Sequence, residues 1–475
     1  MTQPHVVILG AGPAGLGAAF QLTRRGLAQV TVLEANGRVG GNAGSFELAG
    51  IPVDYGSHRL HPACDPEVLK DIQTLLSGDL LDRPRHGRIR LRGRWIHFPL
   101  KPIDLALKLP PGFALGTAID MARKPFRSQP LAQSEATFAT VLEAGLGSTI
   151  CRDFYFPYAR KVWGLEPGEL SATQARRRVS ANSPGKMAVK ILSAVPGLKP
   201  KGSGRFFYPR GGFGQISSAF YDAAAANGAN FLMDARVHQV EMEETGSHVV
   251  HFEKNEQNLS IRANHVWSTI PITILARALK PAPPKDCLRA AESIRYRAMI
   301  LIYLMVEQNR FSEYDAHYFP EQDIPITRLS EPKNYSGEAG PRNLTVLCAE
   351  LPCMPGDPEW CLTDEDLGRL VCQSLDRAGI PVQAPVRQVV TRRLRQAYPI
   401  YQRGYETYFD QLDDWISQVE GLITFGRQGL FAHDNTHHAL FMAYSAVACL
   451  DREGCFDRAR WQEFRRVFEK HVVED

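Results

Sequence analysis

Val6-Val7-Ile8-Leu9 runs directly into Gly10-Ala11-Gly12-Pro13-Ala14-Gly15, and an acidic residue, Glu34, follows nineteen residues after the last of those glycines. An apolar strand, a glycine turn, a helix, a second strand (Val30-Thr31-Val32-Leu33) and an acid, in that order, predict a βαβ unit shaped around an adenine dinucleotide. Gly10 permits the tight turn, Gly12 lets backbone approach a diphosphate, and Gly15 lets the helix pack closely on the strand. The helix opening at Pro13 and Ala14 aims about half a positive elementary charge at that diphosphate. Glu34, with Ala35 beside it, ends the second strand where a ribose would meet it. The alternative is a structural glycine turn without a nucleotide; the agreement of five ordered features favours the nucleotide.

Length and composition bound the rest. At 475 residues the chain predicts about two or three domains. With 44% apolar and 22% charged residues it has the composition of a globular protein, and a net charge of +4 gives no reason to expect nucleic acid. Nine cysteines without a CxxC pair read as reduced thiols in a cytoplasmic protein, with neither a disulfide framework nor a metal site. The first strand begins a few residues after Met1, which leaves no room for an ordinary signal peptide. The longest apolar run, Ala298 to Val306, is far short of the roughly twenty residues of a membrane span, so it predicts a buried strand. The expected partner is a small-molecule substrate; peripheral contact with a membrane stays open.

Along the chain, Ser45 to Leu48 reads as a strand, Arg83 to Pro99 as two strands joined at Arg92-Gly93, and Pro102 to about Arg178 as mostly helical. Residues 182–204 are the best linker candidate. A helix is expected at Phe213–Asn227, and alternating strands from Asn230 to Ile270 that continue the first sheet. A helix at Asp364–Ala378 and another from about Thr436 complete the pattern. The fold class is α/β: a Rossmann-type dinucleotide domain assembled from residues 1–80, 205–280 and 395–475, with an inserted sheet-plus-helix substrate domain from 81–204 and 281–394.

Gly10 to Glu34 followed by Arg38-Val39-Gly40-Gly41-Asn42 resembles the amine oxidase and protoporphyrinogen oxidase superfamily of FAD enzymes. Val53-Asp54-Tyr55-Gly56-Ser57-His58-Arg59-Leu60-His61 resembles a segment of UDP-galactopyranose mutases. So do Phe154 to Ser171, Thr327 to Lys333, Tyr398-Pro399, and Gly426-Arg427-Gln428-Gly429 with Asn435 and His437. These matches occur in order over most of the chain.

The resemblance implies that FAD is held by Gly10, Gly12, Pro13, Ala14, Gly15, Glu34, Ala35, Arg38, Gly40, Gly41 and Asn42. It adds Gly56, Ser57, His58, Gly426, Arg427, Asn435 and His437, and Val237 as a backbone contact for the adenine. It implies catalytic roles for His58, beside the flavin, and for Arg328, whose guanidinium suits an oxyanion. Their own residue context also allows a turn histidine and an Arg328–Glu331 surface pair. Trp163, Arg178 and Tyr398 are implied on the substrate side, where Trp163 reads equally as core.

Two departures from the mutases fall on that side: Leu351 stands where they carry a tyrosine, and Ala175 to Ser180 shifts an arginine register. The implied function is therefore an FAD-dependent oxidoreductase taking a hydride onto flavin N5 from a small organic substrate, sugar-linked compounds included. The alternative is a sugar-nucleotide pyranose–furanose mutase using reduced flavin. No second GxGxxG fingerprint predicts an NAD(P)H domain.

Arg88, Arg90, Arg92 and Arg94 alternate along one strand and, with Arg83 and Arg85, form a local basic patch. It reads either as a site attracting anions or as the solvated face of a hairpin. A metal at His58-x-x-His61 lacks a third ligand at suitable spacing.

Overall fold

A computed structural model describes residues 3–99, 108–123, 136–178, 204–243, 246–337 and 340–473, without the side chains of Met121 and Arg178. The expected linker, apart from Gly204, lies outside the described residues.

The apolar strand His5–Leu9 is buried on both faces, as a central parallel strand requires. It pairs in parallel with Gln29–Leu33 on one side and His265–Ser268 on the other. Asn230–Leu232 and Leu422–Thr424 extend the sheet at its two edges, also in parallel. Five strands from distant parts of the chain thus make one parallel sheet, with helix Pro13–Arg24 packed between it and helix Thr436–Val447. Only part of the segment Asn230–Ile270 joins this sheet. Arg236–Met242, His248–Lys254 and Gln257–Ala263 instead form a separate antiparallel meander, closed by a short parallel pairing to Leu279–Lys280.

The second layer is a seven-stranded sheet ordered Val386–Ile400, Arg295–Val306, Thr345–Cys353, Arg328–Ser330, Ala316–Tyr318, Gly87–Leu91 and Arg94–Phe98. The nine-residue apolar run lies inside Arg295–Val306, buried at the centre as expected. One face of the sheet packs Ile300, Ile302, Leu347, Ala349 and Leu351 against helix Asp364–Arg377. The opposite face packs Met299, Leu301, Tyr303, Val346 and Cys348 against Ile51 and Val53. Strand Val386–Ile400 crosses the expected domain boundary at 394/395.

The arginine stripe is drawn apart by tertiary contacts. Arg88 lies between the rings of Trp95 and Tyr314 at 4.2 and 4.4 Å. Arg90 pairs with Glu321, and Arg92, in the turn, pairs with Asp153 at 2.8 Å. These side chains are engaged one by one within the protein rather than gathered into an anion site.

Candidate active site

The glycine turn shows why its residues are small. Gly10 has φ +99°, and a Cβ at Gly15 would lie 2.0 Å from the Gly10 carbonyl oxygen, so the helix touches the strand backbone. At Gly12 an added Cβ would meet nothing within 4 Å, so open space lies beside that backbone. Gly40 N–H donates to Ala11 O at 2.8 Å, and the Cβ position of Gly41 is 3.5 Å from Gly12 Cα, which sets the second glycine turn against the first. Arg38 closes that turn by donating to Gly41 O at 2.8 Å while stacking over Tyr55 at 3.7 Å.

Glu34 is buried and already engaged. Its oxygens accept from Ala11 N–H at 2.8 Å and from the backbone and side chain of Asn36 at 2.9 and 2.6 Å. A carboxylate offers about four acceptor positions, so about one is left for an incoming hydroxyl. Ala35 is exposed beside it, and Val237 lies two residues beyond Ala235, whose N–H donates to Glu34 O at 2.8 Å. An open cradle at Gly12, a helix N-terminus behind it and an acid at the strand end fit an adenine dinucleotide.

The C-terminal segment meets the same turn. A Cβ at Gly426 would lie 2.7 Å from that of Ala14. Asn435 caps helix Thr436–Val447, whose Leu440 and Ala443 contact Gly17. His437 sits in the first turn of that helix, buried, with burial and then His438 lowering its pKa to about 3.

The link from the glycine turn to the seven-stranded sheet is a bulge. Arg297 pairs with Tyr398 and Met299 with Leu394, so Arg395 to Ala397 are looped out of register. Gln396 O then accepts from Asn42 Nδ2 at 3.1 Å and Gln428 Nε2 at 2.9 Å, and Ala397 O from Arg427 at 3.0 Å. The Asn42 amide, assigned to the cofactor from sequence, thus donates to the seven-stranded sheet. Arg427 also donates to Asp434 O at 3.1 Å and lies 5.2 Å over the ring of Tyr398.

His58 and Arg328 come together here. His58 stacks on Phe213 with centroids 5.3 Å apart, and burial, then Arg328 and Arg427, lower its pKa to about 3. It is a neutral imidazole at ordinary pH. Arg328 forms a bidentate pair with Glu350, at 2.7 and 2.9 Å from one guanidinium nitrogen, and not with Glu331. Glu350 also accepts from Ser57 N–H at 2.9 Å, beside Gly56. The Arg328 guanidinium lies 6.0 Å from the ring centroid of Tyr318, and Tyr318, Tyr398 and Tyr158 all act on it electrostatically. Phe213 is held in turn by Asp54, a buried carboxylate accepting from Phe213 N–H at 2.9 Å, Tyr208 OH at 2.7 Å and Ser45 Oγ at 2.6 Å.

The remaining expected residues fall as follows. Trp163 is core: 5% exposed, it packs edge-on against Phe138 and His433, and His433 stacks on Tyr398 between them. The Arg178 side chain lies outside the described residues. Leu351 lies on the helix-covered face of its strand, opposite Glu350, so a hydroxyl there would not reach this cluster. Glu350, Asp54, Tyr158 and Tyr318 were missed as site residues. Glu350 had a signal: it is the lone charge in TVLCAELPC, an otherwise apolar run that must bury it with a partner.

The family described as flavin containing amine oxidoreductase matches residues 13–443 of the chain. AofH of Mycobacterium tuberculosis, named a flavin-containing monoamine oxidase, is 28% identical over 251 residues, which are 51% of this chain and 52% of that protein. The match thus spans about half the length of that curated relative. Protoporphyrinogen oxidase 2 of Arabidopsis thaliana is 48% identical over 64 residues, 14% of this chain and 12% of that protein. Among solved structures, a reduced UDP-galactopyranose mutase superposes with TM-score 0.79 at 20% identity, covering 94% of this chain and 93% of that one. A cyclohexylamine oxidase from Brevibacterium oxydans superposes with TM-score 0.67 at 19% identity, covering 98% and 100%. Both share the fold.

Proposed function

The chain belongs to the flavin-containing amine oxidoreductase family, and from that premise we propose that it is an FAD-dependent oxidoreductase that oxidises a small neutral or anionic organic substrate, sugar-linked compounds included. FAD, when bound, supplies the hydride acceptor. The glycine turn, Glu34, Arg38 to Asn42 and the start of helix Thr436–Val447 would hold it. That assignment makes residues 1–80, 205–280 and 395–475 a Rossmann-type cofactor domain and the rest a substrate domain.

One observation carries the substrate class. Arg328 and Arg427 both act electrostatically on His58, and the carboxylate of the cluster, Glu350, is taken up by Arg328. A cationic amine entering there finds Glu350 already taken up by Arg328, while an anion or a neutral hydroxyl meets guanidinium and tyrosine donors. His58 gives a neutral imidazole wall, and the tyrosine hydroxyls give hydrogen-bond partners that orient the substrate.

A second reading, a sugar-nucleotide mutase acting on reduced flavin, is favoured by the same arginines. The two separate when FAD-loaded protein is incubated anaerobically with UDP- and dTDP-hexoses and with primary amines, with and without dithionite, and products are resolved by chromatography. Oxidised product from the sugar-linked compounds, without dithionite, supports the proposal. Furanose product formed only after dithionite would replace it with the mutase, and turnover of amines alone would overturn the substrate class.

A further inference from the structure

We propose that Asp434, His438 and His471 form a zinc site between the start of helix Thr436–Val447 and the segment that follows helix Arg458–Phe468. A carboxylate oxygen of Asp434 and one ring nitrogen of each histidine all lie within 4.8 Å of one another. Asp434 and His438 stand either side of the helix cap at Asn435, and His471 comes to them from the end of the other helix. One carboxylate and two imidazoles suit zinc, with bonds of about 2.0–2.2 Å and a fourth position left for water. Bonds of that length set tetrahedral ligands about 3.4 Å apart, so no pair of the three atoms has to close by more than about 1.4 Å. That movement falls to His438 and His471, two half-buried rings stacked with centroids 4.2 Å apart.

A bare buried oxygen points independently to a cation. Asp434 is 2% exposed; its Oδ2 pairs with His471 Nδ1 at 3.1 Å, while Oδ1 has no hydrogen-bond partner among the described residues. A carboxylate oxygen buried in that state carries a desolvation cost that a metal ion at the carboxylate removes. Arg177 acts on Asp434 electrostatically but directs its hydrogen bond to Tyr401 OH at 3.0 Å. Beside the cluster His437, 5% exposed, also lacks a partner at Nδ1, with its ring centroid 4.1 Å from that of His438. His438 Nδ1 accepts from Asn435 N–H at 3.3 Å, so ligation by either of its nitrogens gives up only a weak bond there. Zinc in this place would pin the segment after Phe468 to the helix start. Two residues past His471, Val473 N–H donates to Arg177 O at 2.9 Å, so the same segment also reaches helix Ala172–Arg178.

The test titrates Zn2+ into the tag-free, FAD-loaded full chain in competition with a chromophoric chelator. Wild type is expected to bind one equivalent that His471→Ala binds at least about tenfold more weakly. Zinc should also raise the melting temperature of wild type and leave that of His471→Ala unmoved. His471→Gln, which keeps a donor for Asp434 and loses the imidazole, serves if the alanine variant fails to fold. Zinc taken up by exposed Cys361 and Cys455 is common to all these proteins, so the difference between them reads this site. Two outcomes overturn the proposal: no zinc bound by wild type, and equal binding by wild type and the variants.

Discussion

Glu350 Oε1 accepts from the guanidinium of Arg328 at 2.7 Å and from the backbone N–H of Ser57 at 2.9 Å. A single carboxylate therefore ties the arginine of the seven-stranded sheet to the segment that carries His58. Its removal should be felt at both ends. Glu350→Gln leaves a buried guanidinium without its counter-ion and is expected to cost about 3–5 kcal/mol. Arg328→Met should cost a similar amount, and Glu350→Leu/Arg328→Met much less than the sum of the singles. Denaturant unfolding of the FAD-loaded proteins measures all three.

Gly12 and Gly15 differ in what a side chain would meet, so they should fail differently. Gly12→Val enters open space and is expected to leave the apoprotein folded while lowering FAD affinity at least about 100-fold, roughly 2.7 kcal/mol. Gly15→Val drives a side chain into the Gly10 carbonyl and should impair folding itself. Circular dichroism melts and equilibrium FAD titration separate the two.

Stability should fall as the solution is acidified. His317 and His437, 1% and 5% exposed, have pKa values lowered to about 3 by burial foremost. Between about pH 6.5 and 3 the unfolded chain binds protons that the folded chain refuses, so their contribution is present above pH 6.5 and is lost as pH falls. Each should cost on the order of 2 kcal/mol by pH 5. Asp54 opposes them: burial raises its pKa to about 6, so the folded state holds its proton more tightly and gains between about pH 6 and 4. Unfolding free energies at pH 7 and pH 5 check the net fall, and His317→Phe should reduce it.

Lys161 is half-buried and donates to the carbonyl oxygens of Phe319, Glu321 and Ile326. Lys161→Met leaves three acceptors with no donor and should destabilise by about 2–5 kcal/mol. The loop from Phe319 to Ile326 should then be cut faster in limited proteolysis.

What the sequence disclosed is what is encoded locally. The turn from Gly10 to Gly15 and the buried run from Ala298 to Val306 follow from neighbouring residues and steric rules, and both stand where expected. The contacts that organise the seven-stranded sheet and its surroundings join residues far apart in the chain. Arg90 finds Glu321, Arg92 finds Asp153, and Asn42 finds Gln396. An alternating arginine stripe cannot announce such partners, so it read as a patch. The position of Leu351 was misjudged for a simpler reason: period-two alternation puts it on the face opposite Glu350.

The most direct measurement is the visible flavin absorption of the FAD-loaded protein mixed anaerobically with a sugar-linked or other non-amine substrate, in wild type and Arg328→Lys. The account predicts bleaching by the substrate alone, with one equivalent of oxidised product per flavin. It also predicts markedly slower bleaching in Arg328→Lys, because the bidentate geometry at Glu350 is lost while FAD stays bound. An absorption that stays unbleached while dithionite-reduced protein rearranges the same compound would contradict it, as would equal rates in the two proteins.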